Sequence, residues 1–313
     1  MVNLSRTTRR GLAGIAALTG LAVVAPTGAQ ATPTADAGTR PVPVVGHTAE
    51  SGVDEHEHEH AAPTAKAGLT GPAALKIVRY NKLYKTGPIP ASRCKEVNVS
   101  MRTVAGVNQY STQLYKCLYA AWKPILAQAG ARSTAAPKLH ITTARTANTR
   151  CGVVSLSRAF YCENNIYFPA NVIVSMWKQN STYARVYATN TMAHEYGHHI
   201  QEATGIMDAS WWRQRAMKTN TAKMEESRRR ELQASCLGSA YIGANRRFYP
   251  MTGVLYNEWR WLVNHSGDQK GYPRDHGSYA NHGWWSEHGF YATSSTTTSA
   301  RCNTYESAPA RVS

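Results

Sequence analysis

Three side chains within His194-Glu195-Tyr196-Gly197-His198 could do chemistry together. Two histidines four residues apart on a helix put both imidazoles on one face, one turn apart, where both reach a single cation. Neutral imidazole nitrogens suit Zn²⁺. Glu195 follows the first histidine, so its carboxylate projects beside a metal rather than onto it, where it can take a proton from a bound water. This H-E-x-x-H pattern is the arrangement of metal-dependent peptide hydrolysis. The bland alternative is two surface histidines on an amphipathic helix. Gly197 argues against it: glycine costs a helix about 1 kcal/mol relative to alanine, and a small residue there lets another element approach closely.

A catalytic zinc keeps three protein ligands and one open position. Gln201 and Thr204 stand where a His-x-x-Gly-x-x-His continuation would need glycine and histidine, which excludes the three-histidine class. The third ligand must then be an acid further on: Glu202, Asp208, Glu225, Glu226 or Glu231. Glu202 lies on the same helix but points past the pair, and Asp208 follows just after it. Glu231, in Arg230-Glu231-Leu232-Gln233-Ala234-Ser235-Cys236, is flanked by apolar residues that would face it inward. It could equally be a charge on a solvated helix face beside Arg228–Arg230. Spacing alone leaves these readings open.

The elements that must position these residues can be read from periodicity. Val107, Tyr110, Leu114, Cys117, Leu118, Ala121, Trp122, Ile125 and Leu126 recur at three and four and predict a helix over 107–129, ended by Gly130. The motif lies in a helix over 182–203 that stops before Gly205, and Glu231 in another over 221–244. Residues 251–264 and 278–288 read as two more. Leu139, Ile141 and Thr143 alternate with polar neighbours as a strand, and Asn165–Phe168 is a second, stopped by Pro169. The expected class is α+β, mainly helical with a small sheet.

The N-terminus reads as a secretory signal peptide over 1–31: Arg6, Arg9 and Arg10, the apolar stretch Gly11–Val24, and the small-x-small site Ala29-Gln30-Ala31. A membrane anchor fits poorly, because the apolar run is short and broken by Gly20 and Pro26. Residues 32–71 hold almost no large apolar side chains and read as a disordered linker or propeptide, with an alternating run from Asp54 to His60 that could bind metal loosely or simply be solvated. The folded domain is expected over 72–313. In an exported chain the six cysteines, none in a C-x-x-C pair, suggest three disulfides, with free buried thiols as the bland alternative; of the 15 pairings six cysteines allow, neighbours in sequence are taken as the working choice: Cys94 with Cys117, Cys151 with Cys162, Cys236 with Cys302. The formal charge is +16 overall; residues 1–31 add three positive charges and 32–71 remove four, leaving +17 on 72–313. Such a charge attracts anionic partners such as a cell envelope. There is no nucleic-acid-binding motif and no transmembrane stretch in the mature part.

The chain resembles the bacterial neutral zinc metallopeptidases over roughly 80–313. The likeness is carried by Asn81–Pro88, Arg93-Cys94, Cys151-Gly152, Phe160-Tyr161-Cys162, Ala193–Gln201, Glu231–Cys236, His276-Gly277-Ser278, Trp285, Gly289-Phe290 and Cys302-Asn303-Thr304. The resemblance implies a zincin-like fold, one catalytic Zn²⁺ on His194, His198 and Glu231, and a peptide or protein substrate. Ser235 departs from the pattern, which usually has an acid there to orient a ligand histidine. This puts zinc affinity or rate in doubt unless another acid substitutes. The last block departs too, with His282 and Glu287 in it. In the implied mechanism Glu195 is the general base and His276, with Tyr279 behind it, a candidate oxyanion donor. The strand Ile166-Tyr167-Phe168 could pair with an extended substrate or lie in the core. Two rival functions stand beside the secreted peptidase: a zinc-binding protein without turnover, for which Ser235 speaks, and a basic cell-wall-binding module, for which the charge speaks.

Overall fold

A computed structural model of the chain describes residues 69, 71–294 and 298–313. The leader and the run from Asp54 to His60 lie outside the described residues. Among the described residues the protein is mainly helical, with eight α-helices and five short strands. In chain order these are α1 (Gly71–Arg79), α2 (Val104–Gln128), β1 (Lys138–Thr142), β2 (Thr146–Thr149), β3 (Gly152–Ser155), β4 (Phe160–Cys162) and β5 (Asn165–Pro169). They are followed by α3 (Ala170–Gln179), α4 (Ser181–Ala203), α5 (Ile206–Ala216), α6 (Asn220–Asn245), α7 (Gly253–Asn264) and α8 (Tyr279–Phe290). None of these helices is long and apolar enough to cross a membrane.

Helix starts are set by side chains that accept from otherwise unpaired amides. Thr103 caps α2, Asn180 caps α4, Thr219 caps α6 and Ser278 caps α8. The Thr103 cap explains why α2 begins three residues before its apolar repeat does. Gly205, at φ 78°, ends α4 in the left-handed conformation that glycine alone adopts without cost. Immediately after it the chain re-enters a helix, α5, which periodicity does not predict, any more than it predicts α1 and α3.

The larger sheet has the order β1-β5-β4. β1 runs parallel to β5, with Leu139 opposite Ile166, and β4 runs antiparallel to it, with Tyr161 opposite Ile166. β5 is therefore the central strand, and Ile166 and Phe168 are fully buried. Both of its edges are used, so of the two readings of Ile166–Phe168 the core strand holds and the substrate-pairing strand does not. β2 and β3 form a separate antiparallel pair.

α6 is the axis of the helical part, and glycines let its neighbours close on it. A Cβ on Gly197 of α4 would lie 2.5 Å from the Ala234 carbonyl oxygen of α6, and one on Gly238 of α6 would lie 2.7 Å from the Ala193 backbone of α4. Gly289 of α8 meets the Cys236 backbone in the same way, at 2.1 Å. The close approach expected from Gly197 is thus made by α6. Arg228, Arg229 and Arg230 of α6 are 8%, 8% and 2% exposed, so the solvated-face reading of this stretch does not hold. Their guanidiniums donate to the carbonyls of Val312, Arg274, Thr304 and Ser307 and to the Ser210 and Gln214 side chains. Cys94–Cys117, Cys151–Cys162 and Cys236–Cys302 are all bridged. The last ties α6 to the C-terminal turns.

Candidate metal centre

α4 and α6 meet where each carries its chemistry. α4 presents His194 and His198 one turn apart, and their Nε2 atoms are 3.1 Å from each other. Glu231, on the facing side of α6, brings Oε2 to 3.4 Å from His194 Nε2 and 3.2 Å from His198 Nε2. The Gly197–Ala234 contact, one turn from His194 on α4 and one turn from Glu231 on α6, makes that reach possible. Three corners of a tetrahedron about 2.0–2.1 Å from its centre are separated by roughly 3.3–3.4 Å, so the triangle has the size a zinc ion needs. Electron-pair donors this close are held together by a cation among them, either a shared proton or a metal ion. The three residues fit the metal, and they form the single group among the described residues with metal-ligand geometry.

The support behind His198 is clear. Its Nδ1 is 2.9 Å from Gln201 Oε1, an amide oxygen that can only accept. The Gln201 amide group is held in that orientation because its nitrogen donates to the Arg230 carbonyl and Gln233 Oε1. His198 therefore carries its proton on Nδ1 and presents a lone pair at Nε2. The adjacent His199 takes no part: it faces the Ala135 carbonyl and the Tyr161 hydroxyl, and burial depresses it to about 4. His194 Nδ1 lies 3.0 Å from Ser235 Oγ.

The rival acids are engaged elsewhere. Asp208 pairs with Arg132, Glu225 with Arg229 and Glu226 with Arg213. Glu202 lies by Tyr161 and the Asn164 amide.

A cleft opens beside the three donors, bounded by Arg158, Phe160, Tyr161, Tyr187 and Asn190. Glu195 is in its wall and 6% exposed. Burial lifts its carboxyl to about 7, with the His194 imidazole pulling down and Glu231 pushing up. His276 reaches the same cleft from the loop between α7 and α8, with Nε2 3.6 Å from Glu231 Oε2. The loop is locked by Asp268, whose carboxylate accepts from the His276 amide and whose own amide donates to the Gly277 carbonyl. Burial opposes a charge on His276, but Asp275, 2.6 Å from Nδ1, and then Glu231 outweigh it and raise it to about 9. Tyr279 is 37% exposed, near His265, and does not line the cleft. Of the sheet it is β4, an edge strand, that borders the cleft, through Phe160 and Tyr161. The sequence reading missed β4 and Arg158; a three-residue strand carries too little alternation to be seen.

No curated protein and no solved structure matches this chain. A family profile described as putative neutral zinc metallopeptidase matches residues 88–248, just over half of the 313 residues, and His194, Glu195, His198 and Glu231 all lie within it. The chain belongs to the putative neutral zinc metallopeptidase family.

Proposed function

We propose that the protein is a secreted peptidase that hydrolyses peptide bonds, with His194, His198 and Glu231 holding one zinc ion and Glu195 as general base. The observation that carries this reading is the triangle of two Nε2 atoms and one carboxylate oxygen, 3.1–3.4 Å on a side, at the edge of a cleft whose wall contains Glu195. When bound, zinc supplies a Lewis acid that polarises a carbonyl and eases deprotonation of water. The rest falls to the chain. Glu195 accepts the proton of the attacking water and later hands it to the leaving amine. His276, braced through Nδ1 by Asp275, is the side chain placed to donate from Nε2 to negative charge developing on the carbonyl oxygen. The edge of β4 offers backbone groups to an extended substrate. The assembly is zincin-like in its motif helix and its acid from a later helix.

Residues 1–31 act as the export signal in this reading, 32–71 as linker or propeptide and 72–313 as the catalytic domain. Three disulfides fit an extracellular protein.

The test is Glu195→Gln. The variant should keep a full complement of zinc and lose cleavage of a mixed peptide library by at least 100-fold, the scale of a lost general base. Undiminished cleavage would remove Glu195 from the role. A wild-type protein that cleaves but holds no metal would remove the site.

A further inference from the structure

Ser235 and His282 form a chain behind His194 whose direction is set at its far end. His282 Nδ1 is 2.8 Å from the Val263 carbonyl. Val263 is in the last turn of α7, where carbonyls have no partner within the helix. A carbonyl only accepts, so the proton is on His282 Nδ1. His282 is 7% exposed, and burial lowers it to about 4, so it holds that one proton and its Nε2 is an acceptor. Ser235 Oγ lies 3.1 Å from His282 Nε2 and 3.0 Å from His194 Nδ1. The serine hydroxyl has one proton. It goes to the imidazole nitrogen that can only accept, and the serine oxygen then accepts from His194 Nδ1–H. His194 is left with its proton on Nδ1 and a lone pair on Nε2, the atom that faces His198 and Glu231.

We propose that Ser235 and His282 act together as the positioning group for His194, a neutral serine–histidine relay doing the work that a single carboxylate at position 235 would do. This rests on the metal site proposed above and deepens it. Serine alone would not suffice, because a hydroxyl can donate to His194 Nδ1 as readily as accept from it and would then stabilise the wrong tautomer. His282 removes that freedom by taking the hydroxyl proton. The relay is built from three helices: His194 on α4, Ser235 on α6 and His282 on α8, with α7 supplying the terminal carbonyl. Both members are buried, Ser235 at 6% exposed. The relay carries no net charge, so it orients the ligand without adding to the negative charge that Glu231 and Glu195 already place there.

The experiment is zinc affinity of the purified protein, measured by competition with a chelator of known strength, together with ¹⁵N-imidazole NMR of the zinc-loaded wild type. Ser235→Ala and His282→Ala should each weaken zinc binding by about 10- to 100-fold. Combining them should cost no more than Ser235→Ala alone, because one relay is broken once. Ser235→Asp in the His282→Ala background should restore the affinity, since a carboxylate accepts from His194 Nδ1 without help. The NMR should show His194 protonated at Nδ1 and His282 at Nδ1 with Nε2 bare. A folded His282→Ala protein with wild-type zinc affinity would overturn the relay, and so would fully additive losses. If His282→Ala fails to fold, the wild-type spectrum still decides: a proton on His282 Nε2 overturns the proposal. Failure of the metal site itself reads differently, as zinc affinity unchanged in His194→Ala.

Discussion

At the scale of single residues, the candidate site is a matter of where protons reside. His198 is held by an amide oxygen that cannot donate, and the amide is held in turn by Arg230 and Gln233. Gln201 is fully buried, so Gln201→Leu should weaken zinc binding about tenfold and lower stability by about 1–3 kcal/mol, because the buried Arg230 carbonyl and Gln233 oxygen lose their donor. Chelator competition and chemical denaturation would separate the two effects; unchanged zinc affinity would mean that His198 needs no orientation from behind. Asp275→Asn tests His276. It should cut turnover while leaving zinc content intact, since Asp275 braces His276 through Nδ1. Equal loss of zinc would move His276 from the reaction to the support of Glu231.

At the scale of elements, the site depends on how closely α4 can lie on α6. Gly197→Ala puts a methyl carbon 2.5 Å from the Ala234 carbonyl oxygen. Backbone cannot swing aside as a side chain does, so the helices must part. We expect a loss of about 1–3 kcal/mol, together with weakened zinc binding, because Glu231 is withdrawn from His194 and His198. Gly71→Ala is the control, having nothing within 4 Å of its added carbon. Thermal unfolding of both variants with and without zinc checks this; equal behaviour would show that the contact is slack. Much of this level is legible in the sequence. α2, α4 and α6 are legible as helices, and α4 ends at a glycine for a backbone reason, whereas their starts at the caps Thr103, Asn180 and Thr219 emerge only from the structure. α5 was not legible, because its burial of Ile206, Met207, Ala209 and Ser210 follows no clean apolar stripe. α6 was legible as a helix but not as a buried one, because three consecutive arginines look like a solvent face until their carbonyl partners are known.

At the scale of the whole molecule, cross-links and charge govern stability. Cys236–Cys302 spans 66 residues and anchors α6 to the C-terminal turns. Replacing both cysteines by alanine should cost about 2–5 kcal/mol. Acid should destabilise the fold through histidines that are neutral inside it. Burial first, and then Arg301 and Arg311, lower His288 to about 4 from 6.5. His288 stacks on Trp284 and its Nδ1 accepts from Arg301. Between pH 6.5 and 4 the unfolded chain binds this proton and the folded one does not, so stability falls as the pH falls through that window. His288→Gln should flatten part of the slope of unfolding midpoint against pH from 7 to 4. An identical slope would place the acid sensitivity in other groups.

By itself the sequence determined what repeats within one element or follows from chain direction. Two histidines four apart share a helix face because the helix turns every 3.6 residues, whereas the sequence bounded the disulfides only to six cysteines, whose partners the fold chose. Tertiary structure alone decided everything that crosses from one helix to another. It separated Glu231 from four other acids, brought His276 round on a locked loop, made β5 a core strand and set His282 behind Ser235. The reason is physical: distances inside a helix are fixed by backbone geometry, while distances between helices depend on which small residues let two backbones touch, and that is settled only when all the packing is satisfied at once.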